Sequence, residues 1–392
     1  MAAVLLEAGI VFAALAVGGA VAARVDQSVI PAYIVAGLLL GPASPIAPLR
    51  LVETTEFIEL LRELGVVLLL FFIGLEFNLS RLAAARTKVL RAGGIDMGLN
   101  GLVGLGLGLA FGFSVFESVL LAGVVAISSS AVITKSLIDL GWIADPESEA
   151  ILGVLVAEDI VVAVYLAVVA AVAVGGTPAS IGRSLAVSLA VVAALVLLAA
   201  RGTALLERLF ETDSDELFLL RTVGLAALVG GLALSAGVSE AVAAFFLGAA
   251  VGTTSHVGRI ERLIVSERDL YAAVFFFAVG LETDLGALGA VALPLVVLVV
   301  LSAASKLVSG YVGGRAYGLD ERRSTRVALA LVARGEFSLV IAAIALSVGA
   351  TELVALTVGY VLVMSVLGTT LMRYSGRIER TVVARLTPSS PA

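Results

Sequence analysis

Two adjacent carboxylates, Glu158 and Asp159, stand inside the apolar run EAILGVLVAEDIVVAVYLAVVAAV, well away from either end. An ionised acid at bilayer depth costs at least ~2.5 kcal/mol, so a pair of them points to chemistry: holding a cation, a proton, or each in turn. Acids also favour the first turn of a helix, but Pro146, Glu147 and Ser148 supply a better start and leave the pair in the interior. Neighbouring side chains on a helix point about 100° apart. One carboxylate can therefore face a fixed partner while the other faces a water-filled cavity.

A second intramembrane charge is Lys306, in VALPLVVLVVLSAASKLVSGYVGG. A lysine can release a proton where a guanidinium effectively cannot. Snorkelling toward the interface is the structural alternative; an ion pair with Glu158 is the sharper expectation. Two further stretches place polar residues at the same depth. AISSSAVITKS, from Ala126 to Ser136, carries Ser129 and Ser130, and ARGEFS, from Ala333 to Ser338, carries Arg334 and Glu336. Serines also serve simply to pack helices, but Arg334 and Glu336 favour a different reading, in which both stretches are breaks in helices. Backbone freed by a break persists in a membrane only where it lines a cavity or is buried in protein. Opposed half-helix ends then present carbonyl oxygens and partial charges to an ion.

The elements that must position these residues are membrane helices. The chain has 392 residues, of which 60% are hydrophobic and 14% charged, against roughly 25% charged in soluble domains. About thirteen apolar runs are long enough to cross a hydrocarbon core of roughly 30 Å. They lie near 4–22, 30–48, 58–77, 90–112, 117–138, 149–173, 181–206, 217–236, 239–254, 268–281, 290–313, 325–347 and 353–373. The first run has no basic segment before it and carries Glu7, which argues for a spanning helix over a signal peptide. With the N-terminus outside and the C-terminus cytoplasmic, only Arg50, Arg62 and Arg183 of the loop basic residues face outward.

Internal similarity orders the runs. FFIGLEFNL, from Phe71 to Leu79, recurs as FFFAVGLETDL, from Phe275 to Leu285, and AYIVAGLLLG, from Ala32 to Gly41, is echoed by AVAAFFLGAAVG, from Ala241 to Gly252. The spacing predicts a first six-helix unit over 1–173, a linker helix over 174–210, a second unit inverted in the membrane over 211–373 and a cytoplasmic tail over 374–392.

Several function classes fall away. The net charge of −6 comes without any basic block, so nucleic-acid binding is not expected. There is no cysteine and only one histidine, His256, in a loop, which leaves no thiol chemistry and no nucleophile–base pair at membrane depth. An enzyme is therefore not expected, and neither is a cofactor. A cation channel would use the same acids along a permeation path, but four repeats around a pore are not visible. A sodium-coupled symporter for an organic anion also has inverted repeats and broken helices.

Together, IPAYIVAGLLLGP, LLLFFIGLEFNL, AISSSAVITKSL and LVARGEFSLVI, in this order and over nearly the whole chain, resemble the monovalent cation:proton antiporter superfamily, in the branch of Kef-type potassium/proton antiporters and their sodium/proton relatives. The resemblance implies an all-α polytopic protein of the cell (inner) membrane with crossed discontinuous helices, acting as a homodimer that exchanges Na⁺ or K⁺ for protons by alternating access. It implies that Asp159 is the shared cation and proton carrier, Glu158 its acidic neighbour and Lys306 the partner of that neighbour. Ser129 and Ser130 then fall at the first helix crossing, and Arg334 and Glu336 at the second. The Glu-Asp pair differs from the Gln-Asp, Asp-Asp or Asn-Asp common in that branch.

Overall fold

A computed structural model describes residues 2–44, 46–53, 55–76, 79–142, 144–173, 178–283 and 285–379. Most of the sequence-predicted tail, 380–392, lies outside the described residues. Among the described residues the regular structure is entirely helical: α1 (Ala2–Arg24), α2 (Val29–Leu40), a short 3₁₀ turn (Ala47–Leu49), α3 (Glu56–Glu76), α4 (Leu79–Ala110), α5 (Val115–Ala126), α6 (Ser130–Asp139), α7 (Pro146–Ala173), α8 (Pro178–Arg201), α9 (Thr203–Phe210), α10 (Asp215–Ser235), α11 (Glu240–Val251), α12 (Val257–Leu281), α13 (Leu285–Ala290), α14 (Ala292–Tyr317), α15 (Glu321–Ala330), α16 (Glu336–Ser347) and α17 (Thr351–Arg373).

Six described helices are individually long and apolar enough to cross a membrane, or seven when the bent pair Ala186–Arg201 and Thr203–Phe210 counts as one span. The apolar runs at 117–138 and 325–347 each fall on two short helices, α5 with α6 and α15 with α16. Local chemistry explains several boundaries. Ser114 and Glu117 form a reciprocal capping box at the start of α5, and Asp320 accepts the Arg323 amide to start α15. Pro146 opens α7 at the position where a missing N–H costs nothing. Gly318, at φ 93°, ends α14 in the left-handed conformation that glycine adopts without a Cβ clash. One boundary departs from the hydropathy reading. The run predicted at 90–112 belongs to a helix that starts at Leu79, because the Ala-, Leu-, Arg- and Lys-rich segment before it has high helix propensity without being apolar.

The chain divides into two compact units. The first comprises 1–15, 36–80 and 163–282, and the second 16–35, 81–162 and 283–392. Within the first unit α3 packs against α10, α11 and α12, and α11 also packs on α8 and α10. Close approach here depends on glycine, and the same contact is made twice. Gly37 lies against the backbone of Phe277 and Leu281, and Gly248 lies against the backbone of Phe71 and Leu75. The two partner segments, FFIGLE and FAVGLE, are the similar motifs seen in the sequence. A Cβ at either glycine would run into a carbonyl oxygen of the facing helix, Phe277 or Phe71.

In the second unit α14 packs along α15, α17 contacts α14, α15 and α16, and α16 meets α5. Arg326 of α15 bonds Glu147 at the start of α7 at 2.5 Å and Glu379 at 2.7 Å, and stacks on Trp142.

Gly248→Ala is expected to destabilise the protein by about 1–3 kcal/mol through overpacking. Gly231→Ala, where nothing lies within 4 Å of the added methyl, should be neutral or slightly stabilising. Thermal unfolding of the two detergent-purified variants tests the contrast, and equal transition temperatures would contradict it.

Candidate ion site at the crossing of two broken helices

Both breaks lie in the second unit, and they are joined through their backbones. After α5 the chain turns extended at Ile127, and α6 begins behind Ser129, whose side chain accepts the Val132 amide at 3.2 Å. α15 ends at Ala330, capped by Leu331, and α16 begins at Glu336. Between the two, the Ser129 N–H donates to the Ala333 carbonyl at 2.9 Å, and Ser338 Oγ donates to the Val124 carbonyl at 3.2 Å.

Each break frees carbonyls at one helix end and amides at the other, with partial negative and positive charge respectively. Side chains of matching sign occupy them. The Arg334 guanidinium is fully buried and donates to the Leu331 carbonyl at 2.9 Å and the Val125 carbonyl at 3.1 Å, so it covers the C-terminal ends of α15 and α5 together. It also reaches the Val332 and Ala333 carbonyls and the Tyr360 hydroxyl, all at 3.2 Å. Lys306 Nζ takes the Ala126 carbonyl at 2.6 Å. On the acidic side, Glu158 accepts the Ser128 amide at 2.6 Å. Glu336, in the first turn of α16, accepts the Ser129 hydroxyl at 2.7 Å. The carbonyls expected to face a transported ion are thus engaged by the chain's own cations, because a charged donor within reach satisfies them better than an intermittent guest.

Glu158 and Asp159 part company. Glu158 is fully buried and lies 2.9 Å from Lys306, with the Ser128 hydroxyl donating to the same oxygen at 3.0 Å. Asp159 retains 9% exposure, and the Ser130 hydroxyl, in the first turn of α6, lies 3.3 and 3.4 Å from its two oxygens. The structure therefore places Glu158 with Lys306, Asp159 with Ser130, Ser129 with Glu336, and Arg334 at the two C-terminal helix ends.

Residues outside the sequence-derived set complete the cluster. Ser128 holds Glu158 through both its amide and its hydroxyl. Asp96 of α4, also fully buried, makes a 2.5 Å ion pair with Lys306 on top of that with Glu158. Asn100, Ser305 and Ser309 bond around Asp96. Asp96 and Asn100 are four apart inside the run at 90–112, a charge-and-amide pair on one helical face that the rule applied to Glu158 could have found.

Lys306→Met is expected to leave two buried carboxylates without their cation, at a cost of about 3–5 kcal/mol. A sharply lowered thermal transition of the purified protein, relative to wild type, is the expected reading. An unchanged transition would show that the ion pairs contribute nothing to the fold.

Comparison with known proteins gives the family and the fold. The sequence pattern of the family described as sodium/hydrogen exchanger, transmembrane, matches residues 10–374. The K⁺/H⁺ antiporter subunit KhtU of Bacillus subtilis is 36% identical over 381 residues, covering 95% of this chain and 94% of that protein. The ammonium/H⁺ antiporter subunit AmhT of Alkalihalophilus pseudofirmus is 32% identical over 378 residues, with coverage of 95% and 94%. Among solved structures, the sodium proton antiporter MjNhaP1 from Methanocaldococcus jannaschii matches with a TM-score of 0.69 at 16% identity, over 97% of this chain and 99% of that one, which establishes the antiporter fold. The all-helical chain with its crossed helix breaks is thus a multi-pass membrane protein that belongs to the transmembrane sodium/hydrogen exchanger family.

Proposed function

We propose that this protein exchanges a monovalent cation for protons across the membrane by alternating access, with Asp159 as the group both substrates share. The observation that carries the reading is the division of labour within one adjacent pair. Glu158 is fully buried and bound to Lys306, while Asp159, one residue on, retains 9% exposure and faces a hydroxyl that can help replace a cation's water. A carboxylate able to hold either a proton or a partly dehydrated cation couples the two by competition, since it cannot hold both. No separate gate has to recognise which is bound.

The names of KhtU and AmhT attach potassium and ammonium to proteins similar over nearly the whole chain. The two ions are close in size and charge, which supports K⁺ as the first cation to test, with Na⁺ next. The family does not favour an organic-anion symporter or a channel. The bias of basic residues supports an external N-terminus and a cytoplasmic C-terminus. The doubled glycine contact of α2 with α12 and of α11 with α3 supports two inverted repeats.

Purified protein in liposomes, with internal pH followed by a dye, is expected to acidify or alkalinise according to an imposed K⁺ or Na⁺ gradient. Asp159→Asn should reduce that flux at least a hundredfold while leaving the protein folded, because an amide can neither carry the proton nor offer the charge. Apparent cation affinity should fall as pH is lowered, as competition demands. Normal exchange by Asp159→Asn would remove the carrier role, and cation flux without proton movement would mark a channel.

A further inference from the structure

The second carboxylate on Lys306 has no part in the exchange scheme above. Four acceptors surround the Lys306 ammonium: Asp96 Oδ2 at 2.5 Å, the Ala126 carbonyl at 2.6 Å, Glu158 Oε1 at 2.9 Å and Ser128 Oγ at 3.0 Å. An ammonium has three N–H donors, so its position is decided by a balance among them. The two strongest competitors are the carboxylates, which come from different helices, α4 and α7.

Asp96 is itself fixed by a directed chain of donors. Ser305 Oγ donates to Asn100 Oδ1, Asn100 Nδ2 donates to Ser309 Oγ at 2.9 Å, and Ser309 Oγ donates to Asp96 Oδ1 at 2.6 Å. Asn100 Nδ2 also lies 3.2 Å from Asp96 Oδ1. Along this chain the donors run toward Asp96, and both its oxygens are engaged, which suits a standing anion better than a group that picks up a passing ion. Asp96 is 0% exposed. The charged groups facing this cluster are Lys306 from α14, Glu158 from α7 and, through Ser128 at 3.5 Å, Arg334 from the second break.

We propose that Asp96 is a positioning residue for cation binding: it shares Lys306 with Glu158, so the lysine's positive charge is more than balanced before a cation reaches Asp159. Two carboxylates on one ammonium leave an excess negative charge one residue away from the carrier. That excess favours any cation at Asp159. Without Asp96, the ammonium is compensated by Glu158 alone, and that excess is lost.

This inference rests on the exchange reading above, and the experiment separates the two. Wild-type, Asp96→Asn and Asp96→Glu proteins are reconstituted in liposomes, and proton-coupled K⁺ and Na⁺ flux is measured across cation concentration and pH. Asp96→Asn is expected to raise the half-saturating cation concentration about tenfold and to move the pH profile about one unit toward acid, since a like charge has left the neighbourhood of the carrier. Asp96→Glu should recover both at least in part. A folded Asp96→Asn protein with wild-type half-saturation and pH profile, or with a lowered maximal rate alone, overturns the proposal. So does a folded Asp96→Asn protein with no exchange at all, which would place Asp96 among the carriers. Should Asp96→Asn fail to fold, Ser309→Ala keeps the charge and removes one anchor: a several-fold rise in half-saturation is expected, and an unchanged value overturns the idea. A wild-type protein that exchanges no cation for protons would sink the exchange reading itself.

Discussion

The arrangement of the second unit follows from one constraint: a helix interrupted within a hydrocarbon layer exposes polar backbone that water cannot reach. Two interruptions brought together answer the problem jointly. The Ser129 amide and the Ala333 carbonyl satisfy one another, and the remaining ends are met by side chains whose sign matches the end they cover. Arg334 and Lys306 sit on carbonyls, and Glu158 and Glu336 on the amide side. Buried charges are costly when alone, and here each is partnered by a charge or a helix end. The charged residues at membrane depth therefore have a structural role first, and the site grows out of it.

From that frame the asymmetry of Glu158 and Asp159 is a matter of helix geometry. A turn of about 100° between neighbours sends Glu158 to Lys306 and the Ser128 amide, and sends Asp159 to Ser130. Adjacent acids can thus serve as strut and carrier without either being specialised in type. The Glu at the first position is long enough to hold the lysine, the Ser128 amide and the Ser128 hydroxyl at once.

Much of this was legible in the residues, and the reasons it was not complete are physical. Glu158 and Lys306 announced themselves as charges in otherwise apolar runs, and the breaks as serine and Arg-Gly-Glu stretches at the same depth. Internal similarity also picked out the two related motifs that become the doubled glycine contact. Asp96 escaped because it follows Arg91 and a pair of glycines, and so looks like the polar end of its span. The helix in fact begins at Leu79, which puts Asp96 in its middle. Ser128 was passed over in favour of Ser129 and Ser130 because three successive serines carry no sign of which faces which acid. That depends on the extended turn at Ile127, a property of the break that no periodicity reports. The carbonyls assigned to an ion went to Arg334 for a similar reason: the sequence shows a guanidinium at membrane depth but not the direction it reaches.

The bond between Ser129 and Ala333 has a last consequence. Because the two interruptions are stitched through main-chain atoms, which no substitution short of proline removes, neither can unravel or slide without tearing the other. On the proposed reading, a load held at Asp159 sits beside a main-chain joint in which the carrier's own side chain takes no part.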